Sequence, residues 1–308
     1  LDISQGGYTI DRDYYVEQDE AHKNILDAYR HHVKKMFMLI GLNESEAEAK
    51  MKNVVALETR MAKAGKPNVE LRDPGSNYNK MSFADFVKEY DGFDWKKYFD
   101  TIGLTDIDYL SVGQPNALAE AMKVIKEEKL EVLKDAMQWS VLNSAANILG
   151  DEVYAEHFDF NYRVMSGTQQ PKPRWKRSVN AVNGVLGEAV GQLYVQKYFP
   201  AVNKERMEKL VRNLQKALGE RIDAQEWMSD STKAAAHEKL DAFYVKIGYP
   251  DKWRDYSSMT IDLSKSLYEN RKEISKWAVA DMIEKKWKKP VDNTEWFMNP
   301  QTVNAYYN

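Results

Sequence analysis

Histidine is the side chain best suited to bind a metal or move a proton near neutral pH, and the chain contains five. His237 opens the stretch His-Glu-Lys-Leu-Asp on a predicted helix. A hydrolytic zinc centre on one helix needs a second His four residues after the first, with a Glu beside the first as general base. That second position is Asp241, so we favour an exposed helix over a metal ligand here. His31 and His32 are adjacent and cannot share one helix face.

Other catalytic signatures are also missing from the sequence. The chain has no Cys, which removes thiolate zinc sites, disulfides and cysteine nucleophiles together. It has no Gly-x-Ser-x-Gly elbow of the serine hydrolases. Gly184 and Gly187 lack the first glycine of a dinucleotide-binding loop and lie in a helical pattern. Spacing alone therefore identifies no catalytic constellation.

Two local motifs each have two interpretations. The stretch Asn43-Glu44-Ser45 fits a glycosylation acceptor, but Asn43 followed by Glu46 is also a helix capping box, which we favour. The stretch Lys285–Lys289 is basic and contains a Trp. Because cations are stabilised at helix C-termini, we favour a solvated helix end over a nucleic-acid site.

Composition narrows the class of protein. The 308 residues include only 15 Gly and 9 Pro, are 43% hydrophobic and 12% aromatic, and carry a net charge of −3. So many apolar and aromatic residues exclude intrinsic disorder, and the charge gives no global basic field for binding nucleic acid. No run approaches the roughly 18 apolar residues that span a bilayer. We expect a globular, mainly α chain.

Apolar residues recur every three to four positions over most of the chain, which predicts amphipathic helices. These helices are predicted at 19–40, 43–64, 82–90, 116–149, 151–162, 178–199, 204–228, 231–247 and 263–289. Glycines and prolines interrupt the pattern at Ser166–Arg177, where we place a domain boundary. The helix at 178–199 is apolar around most of its circumference and includes Gly184, Gly187 and Gly191. We expect it to be buried on several sides and closely approached by neighbours.

The last seven residues differ from the rest. Thr302–Asn308 is β-branched and aromatic and follows Asn299-Pro300. Such a segment could be an edge strand that accepts an extended peptide through main-chain hydrogen bonds. On texture alone, an ordinary core strand or a loop is the simpler interpretation.

Five motifs, in the same order along the chain as in a known family, favour the substrate-binding strand over the simpler interpretation. The stretch Val303-Asn304-Ala305-Tyr306-Tyr307 resembles the "VNAYY/VNAFY" segment of the neprilysin-like zinc metallopeptidases, the family of neprilysin, endothelin-converting enzyme and bacterial endopeptidase O. The other resemblances are Arg12-Asp13-Tyr14-Tyr15 to "RDYY", Arg72-Asp73-Pro74 with Tyr78-Asn79-Lys80-Met81 to "RDP…YNKM", Val182-Asn183-Gly184 through Val195 to "VNG…EAVGxLYV", and Trp227-Met228 through Pro250 to "WM…TK…K…IGYP". Together they span essentially the whole chain.

The resemblance implies a two-lobed, largely helical zinc endopeptidase that encloses peptides in a cavity between its lobes. Residues 1–170 would form the helical cap lobe, and 171–308 would begin a zincin-type catalytic lobe with its first helices and a substrate-binding edge strand. The family's HExxH helix and its downstream Glu ligand lie after the "VNAYY" segment, and neither occurs in these 308 residues. The resemblance therefore implies one catalytic Zn whose ligands lie outside this stretch. We expect no catalytic residue and no metal ligand within the stretch, which should be inactive alone.

Only one functional element carries over from the family. The Asn of "NAYY" binds the substrate backbone through its side chain and the following Ala through its main chain, which implies Asn304 and Ala305 as substrate-binding residues. The expected partners are peptide substrates and the C-terminal catalytic half of the same protein, in one chain or as a separate one, with no nucleic acid. The alternative is a catalytically inactive helical binding module on the same scaffold. The compartment stays open, and we favour an extracytoplasmic (periplasmic or cell-surface) location over a cytoplasmic one.

Overall fold

The computed structural model describes residues 1–307, so Asn308 of the C-terminal segment lies outside the described residues. The chain divides into two compact units. Unit 1 contains Leu1–Pro171, Leu263–Lys272 and Val279–Ile283, and unit 2 contains Lys172–Asp262, Glu273–Ala278 and the described residues from Glu284 onward. The structure is mainly α, as the sequence predicts.

The helices of unit 1 are α1 (Arg12–Val16), α2 (Glu20–Leu39), α3 (Glu44–Ala64), α4 (Phe83–Glu89), α5 (Trp95–Thr101), α6 (Pro115–Glu127), α7 (Leu130–Ala145) and α8 (Asp151–Phe158). A π-helical segment, Asp159–Val164, continues α8. Unit 2 contains α9 (Arg174–Tyr198), α10 (Ala201–Asp223) and α11 (Asp230–Asp241), and the residues of α12 (Leu267–Lys286) are divided between the units. Among the described residues, no helix combines the length and the apolar character needed to cross a membrane.

Local signals explain several helix starts. The Asn43 side chain accepts from the backbone N–H of Glu46 while the Glu46 carboxylate accepts from the Asn43 N–H, both at 3.0 Å. This is the predicted capping box. Ser82 caps α4 by accepting from the N–H of Asp85, and Pro115 occupies the first turn of α6, where its missing N–H costs nothing.

The helix predicted over 116–149 is two helices. Glu128 and Lys129 adopt extended backbone between α6 and α7. No apolar residue occurs between Ile125 and Leu130, so a continuous helix would bury nothing at that turn. The prediction failed there because periodicity on either side concealed the gap.

A small three-stranded sheet lies in unit 1 in the order β1 (Asp2–Ile3), β3 (Tyr109–Val112), β2 (Lys80–Ser82). β1 runs parallel to β3, and β2 runs antiparallel to it. The sheet packs against one of two apolar clusters, formed with residues of α4, α5 and α6. The larger cluster joins α1, α2, α3, α7, α8 and the π-helical segment around Trp139. Unit 1 therefore contains a complete core of its own.

Unit 2 is different, because most of its apolar side chains are exposed. Val195, Ile222 and Leu240 are its only buried hydrophobic residues among those the structure describes. On α9, Leu193 is 68% exposed and Val182 is 46% exposed. The expectation that this helix is buried on several sides is therefore wrong for the described chain, since its apolar circumference lacks neighbours.

The expected edge strand is also absent. Residues 302–307 adopt no regular secondary structure, and Val303 is fully exposed. A strand needs a neighbour that exchanges main-chain hydrogen bonds with it. No segment within residues 1–307 forms a ladder with this one, which is why its β-branched and aromatic composition does not produce a strand here.

Candidate functional site

The C-terminal segment, defined here as Thr302–Tyr307, carries both residues implied in substrate binding. Asn304 and Ala305 are exposed. The Ala305 N–H donates to Asn304 Oδ1 at 2.8 Å, so the two groups expected to contact a peptide contact each other. The Asn304 side chain offers one acceptor and two donors. A peptide backbone could replace the internal contact without leaving a buried group unpaired.

Aromatic rings hold the far end of the segment. The ring of Tyr306 contacts Phe297 with 6.3 Å between centroids, and the ring of Tyr307 contacts Phe243 edge-on at 5.8 Å. The ammonium groups of Lys246 and Lys286 lie 5.6 and 5.5 Å from the centre of the Phe297 ring. Offset and edge-on ring pairs of this kind are stabilising. The two tyrosines therefore contact aromatic rings of unit 2 on one side and remain exposed on the other.

The near end of the segment is held by α9. Gln301 Nε2 donates to Asn183 Oδ1 and to the carbonyl oxygen of Gly187, both at 3.0 Å. Asn299 Nδ2 donates to the carbonyl oxygen of Asn183 at 3.2 Å. We call Asn299–Gln301 the clamp turn. Leu186, between the two accepting carbonyls, has the non-helical angles φ −117° and ψ 35°, so the clamp turn meets α9 where the helix is kinked.

Two glycines of α9 permit this close contact. A Cβ at Gly187 would collide with the carboxamide of Asn299, and a Cβ at Gly191 would lie 2.8 Å from Cδ of Pro300. The prediction that small residues of this helix are closely approached is confirmed at these positions. It is wrong at Gly184, where a Cβ would meet nothing within 4 Å.

Other motif residues position the surrounding loops. Glu188 Oε2 accepts from the N–H of Arg254 at 2.7 Å, which ties α9 to the chain that follows α11. Gly248 has φ +72°, and a Cβ there would collide with the Phe199 ring. A residue with a side chain would be strained at that angle. These motif residues thus serve the local structure of unit 2.

The histidines do not assemble into a centre. His237 Nε2 pairs with Asp223 Oδ1 at 2.7 Å, and Asp223 ends α10. His31 is exposed, whereas His32 is buried, with its Nδ1 2.8 Å from Glu156 Oε1 and its ring stacked on Phe160. Within the described residues, no group of three or more His, Asp or Glu side chains is placed to hold a metal ion.

The basic stretch at the end of α12 forms local pairs. Lys286 pairs with Glu295 at 2.8 Å. Lys285 and Lys286 occupy the last turn of α12, where the helix dipole favours positive charge.

Sequence reasoning missed a buried carboxylate in unit 1. Glu58 accepts from Thr9 Oγ1 at 2.6 Å, Tyr15 Oη at 2.9 Å and Tyr29 Oη at 2.7 Å. Desolvation raises its pKa above the usual range, opposed by those three hydrogen bonds. Its spacing from Val54 and Met61 placed it on the buried face of α3, and that signal could have identified it.

The Glu58 network includes one residue of the "RDYY" motif. Tyr15 is the last residue of that motif, and Trp139 Nε1 extends the network by donating to both Thr9 and Tyr29 at 2.9 Å. Tyr15 and Thr9 therefore fix the N-terminal residues of the chain onto the core of unit 1.

Comparisons with known proteins agree with this architecture. The zinc metalloprotease ZMP1 of Mycobacterium tuberculosis in its open state superposes with a TM-score of 0.88 at 38% identity, over 100% of this chain and 48% of that chain. The PepO structure from Lactobacillus rhamnosis has a TM-score of 0.90 at 21% identity, which shows the shared fold.

Sequence relatives give the same result. The neutral endopeptidase of Lactobacillus helveticus is 30% identical over 92% of this chain and 44% of its own length. Neprilysin-3 of Drosophila melanogaster is 26% identical over 100% of this chain and 41% of its own length. The chain thus spans a little under half of these relatives. The profile of Peptidase family M13 matches residues 1–250, and the chain therefore belongs to peptidase family M13.

Proposed function

We propose that this chain is the N-terminal part of a zinc metalloendopeptidase that hydrolyses peptides enclosed between two lobes. Residues 1–170 would be the helical cap lobe, and 171–308 would begin the catalytic lobe. Membership of family M13 supports the proposal. So does the similarity to proteins named as a neutral endopeptidase and a zinc metalloprotease, of which this chain covers a little under half.

The observation that carries the proposal is the open core of unit 2. Met207, Leu210, Leu214 and Leu218 form one stripe along α10, and they are 42–61% exposed. Burying each such side chain is worth about 1.5–3 kcal/mol, so an exposed stripe of four is unfavourable in water. A further polypeptide of the same protein, the C-terminal catalytic half, would cover this stripe and the apolar faces of α9.

The described residues do not fit a zinc site. Zinc takes His, Cys or carboxylate ligands, three from the protein in a catalytic centre. The chain has no Cys, and the described residues gather no such group. We therefore assign the zinc ligands and the general base to the part of the protein that follows Asn308, and we derive no catalytic step here.

We assign substrate binding to the C-terminal segment. An extended segment with free main-chain groups can add a peptide as a neighbouring strand. Asn304 would bind the peptide backbone through its carboxamide and Ala305 through its main chain. Once the C-terminal half is present, Thr302–Tyr307 would have a strand partner and could become the edge that the sequence analysis expects.

One experiment tests the proposal. Residues 1–308 are prepared alone and together with the C-terminal half, either as one chain or as two co-expressed chains. Cleavage of a library of fluorogenic peptides and zinc content are measured for each. We expect cleavage and one bound zinc only when both halves are present. Both halves folded with zinc bound but no cleavage of any library peptide would favour the inactive binding module. Stoichiometric zinc in residues 1–308 alone would overturn the assignment of the ligands.

A companion measurement addresses the open core. We expect residues 1–308 alone to aggregate or to bind the C-terminal half when it is supplied. Light scattering could instead show that residues 1–308 stay monomeric at every concentration tested and do not bind the added C-terminal half. That result would contradict the proposed partner.

A further inference from the structure

We infer that Gln301 and Asn183 are positioning residues for the C-terminal segment, holding it where Asn304 and Ala305 can meet a peptide. The inference deepens the proposed function and rests on it. It concerns residues that touch no substrate themselves, and it connects two motifs that lie more than a hundred positions apart in the sequence.

The hydrogen bonds define how the clamp turn is held. The two acceptors of Gln301 Nε2 are on successive turns of α9, and one is the carbonyl oxygen of Gly187, which can only accept. That carbonyl identifies the donating end of the Gln301 carboxamide as Nε2, the end that contacts Asn183 and Gly187. Asn183 then contributes twice, through its carbonyl oxygen to Asn299 and through its side chain to Gln301. A shift of the clamp turn would break three hydrogen bonds together.

Steric contact supports the same placement. The Pro300 ring lies so close to Gly191 that a Cβ at position 191 would collide with it. A proline ring has little freedom to move aside. Pro300 thus sets how closely the clamp turn approaches α9. The carboxamides of Asn299 and Gln301 set its position along the helix.

The clamp is close enough to Asn304 to set its position. Gln301 and Asn304 are three residues apart, which is at most about 10 Å of extended chain. Thr302 donates its N–H to Asn299 O at 2.9 Å, so the segment leaves the clamp turn in a defined direction. Val303 is fully exposed. On the N-terminal side of Asn304, the clamp turn therefore supplies the contacts that position the segment.

The first test uses the protein with both halves present and needs no activity. Gln301→Met keeps the side-chain length and removes the donor, and Asn180→Ala, at an exposed position on the same helix, is the matched control. We expect Gln301→Met to speed hydrogen exchange of the Thr302 amide roughly 5- to 150-fold, the loss expected for the two hydrogen bonds that Nε2 donates to α9. Asn180→Ala should leave it unchanged. Equal exchange in Gln301→Met and the wild type would overturn the inference.

The second test uses the protein with both halves present. We expect Gln301→Met and Asn183→Leu to lower kcat/KM roughly 3- to 10-fold in an assembly that stays folded with zinc bound. Asn183→Asp keeps the acceptor for Gln301 and should restore most of the activity. Combined with Asn304→Ala, Gln301→Met should add little, because it acts through Asn304.

The outcomes separate the two hypotheses. A wild type that cleaves peptides, an impaired Asn304→Ala and an unimpaired Gln301→Met would overturn the clamp and leave the proposed function standing. Fully additive effects of Gln301→Met and Asn304→Ala would also overturn it. A wild-type assembly that cleaves nothing would remove the proposed function, and the exchange experiment would still decide whether the clamp exists.

Discussion

The hydroxyl of Tyr15 donates to Glu58 Oε2 at 2.9 Å, and this contact joins α1 to α3 inside the core of unit 1. Tyr15 is 3% exposed and Glu58 is 5% exposed. A buried carboxylate is tolerated only when its oxygens are hydrogen-bonded. Glu58 satisfies that condition with hydroxyls from the N-terminal segment, α1 and α2, so one carboxylate organises three elements.

Removal of the Tyr15 hydroxyl tests this relationship. Tyr15→Phe should lower the free energy of unfolding by about 1–3 kcal/mol, because the buried carboxyl group of Glu58 loses a donor. The measurement is urea denaturation of the assembly with both halves, with intrinsic tryptophan fluorescence as the signal. Tyr14→Phe is the control, since Tyr14 is only partly buried. Equal losses in both variants would mean that the Glu58 contact has no special role.

Glu58 also gives unit 1 a defined pH dependence. Burial raises the pKa of Glu58 in the folded state, so the folded protein binds this proton more tightly than the unfolded chain. The stabilisation from that proton is complete below about pH 4.5 and is lost as the pH rises through the raised pKa. We therefore expect the stability difference between wild type and Glu58→Gln to shrink, or reverse in favour of Glu58→Gln, as the pH rises from 4 to 7. A constant difference across that range in urea denaturation would contradict the shifted pKa.

His157 gives the opposite dependence, so that its contribution to the stability of unit 1 rises with pH. Desolvation lowers the pKa of His157, with a smaller contribution from the charge of His32, and Asn161 Nδ2 lies 3.1 Å from its Nδ1. A lowered folded pKa gives stability that is present above about pH 6.5 and is lost as the pH falls through the folded value. The folding stability of His157→Gln should therefore fall less than that of the wild type as the pH falls from 6.5 to 5. The check is the midpoint of urea denaturation across that interval, and parallel curves would exclude His157 as the source.

The sequence predicts those features that depend on neighbours along the chain. The capping box of Asn43 and Glu46 involves residues three apart, so the pattern was sufficient. The break at Glu128 and Lys129 was missed because it depends on what the helix would bury. The clamp between Gln301 and Asn183 joins residues 118 apart, and no periodicity indicates such a pair.

The candidate site likewise combines features that the sequence predicts with features that depend on distant contacts. The identities of Asn304 and Ala305 were indicated by a motif, but the conformation of their segment was not. A strand is formed by a partner, and within residues 1–307 the segment has none. The glycines of α9 were expected to be approached closely, and the sequence could not distinguish Gly191, which contacts Pro300, from Gly184, which contacts nothing.

That difference gives a matched pair of substitutions. Gly184→Ala should stabilise α9 by about 0.5–1 kcal/mol, since Gly is a poor helix former and its Cβ has space. Gly191→Ala should destabilise the contact with the clamp turn by about 1–3 kcal/mol, because Pro300 must move. The measurement is the melting temperature of each variant beside the wild type, in the assembly with both halves. Equal shifts of the same sign would mean that the approach of Pro300 does not matter for stability.

The last prediction concerns the proposed contact between Asn304 and a peptide substrate. Asn304→Ala in the complete protein should lower kcat/KM without changing the melting temperature, because Asn304 is exposed and supports no core contact. Loss of one hydrogen bond that leaves a peptide group of the bound substrate unpaired costs about 1–3 kcal/mol, which is roughly 5- to 150-fold in kcat/KM. Ala305→Ser keeps the main-chain groups and should be much milder, whereas Ala305→Pro removes the N–H and should be severe. Unchanged kcat/KM in a folded Asn304→Ala protein, beside an impaired Ala305→Pro, would leave the main chain alone as the peptide-binding element. Unchanged kcat/KM in both variants would remove the C-terminal segment from the substrate site.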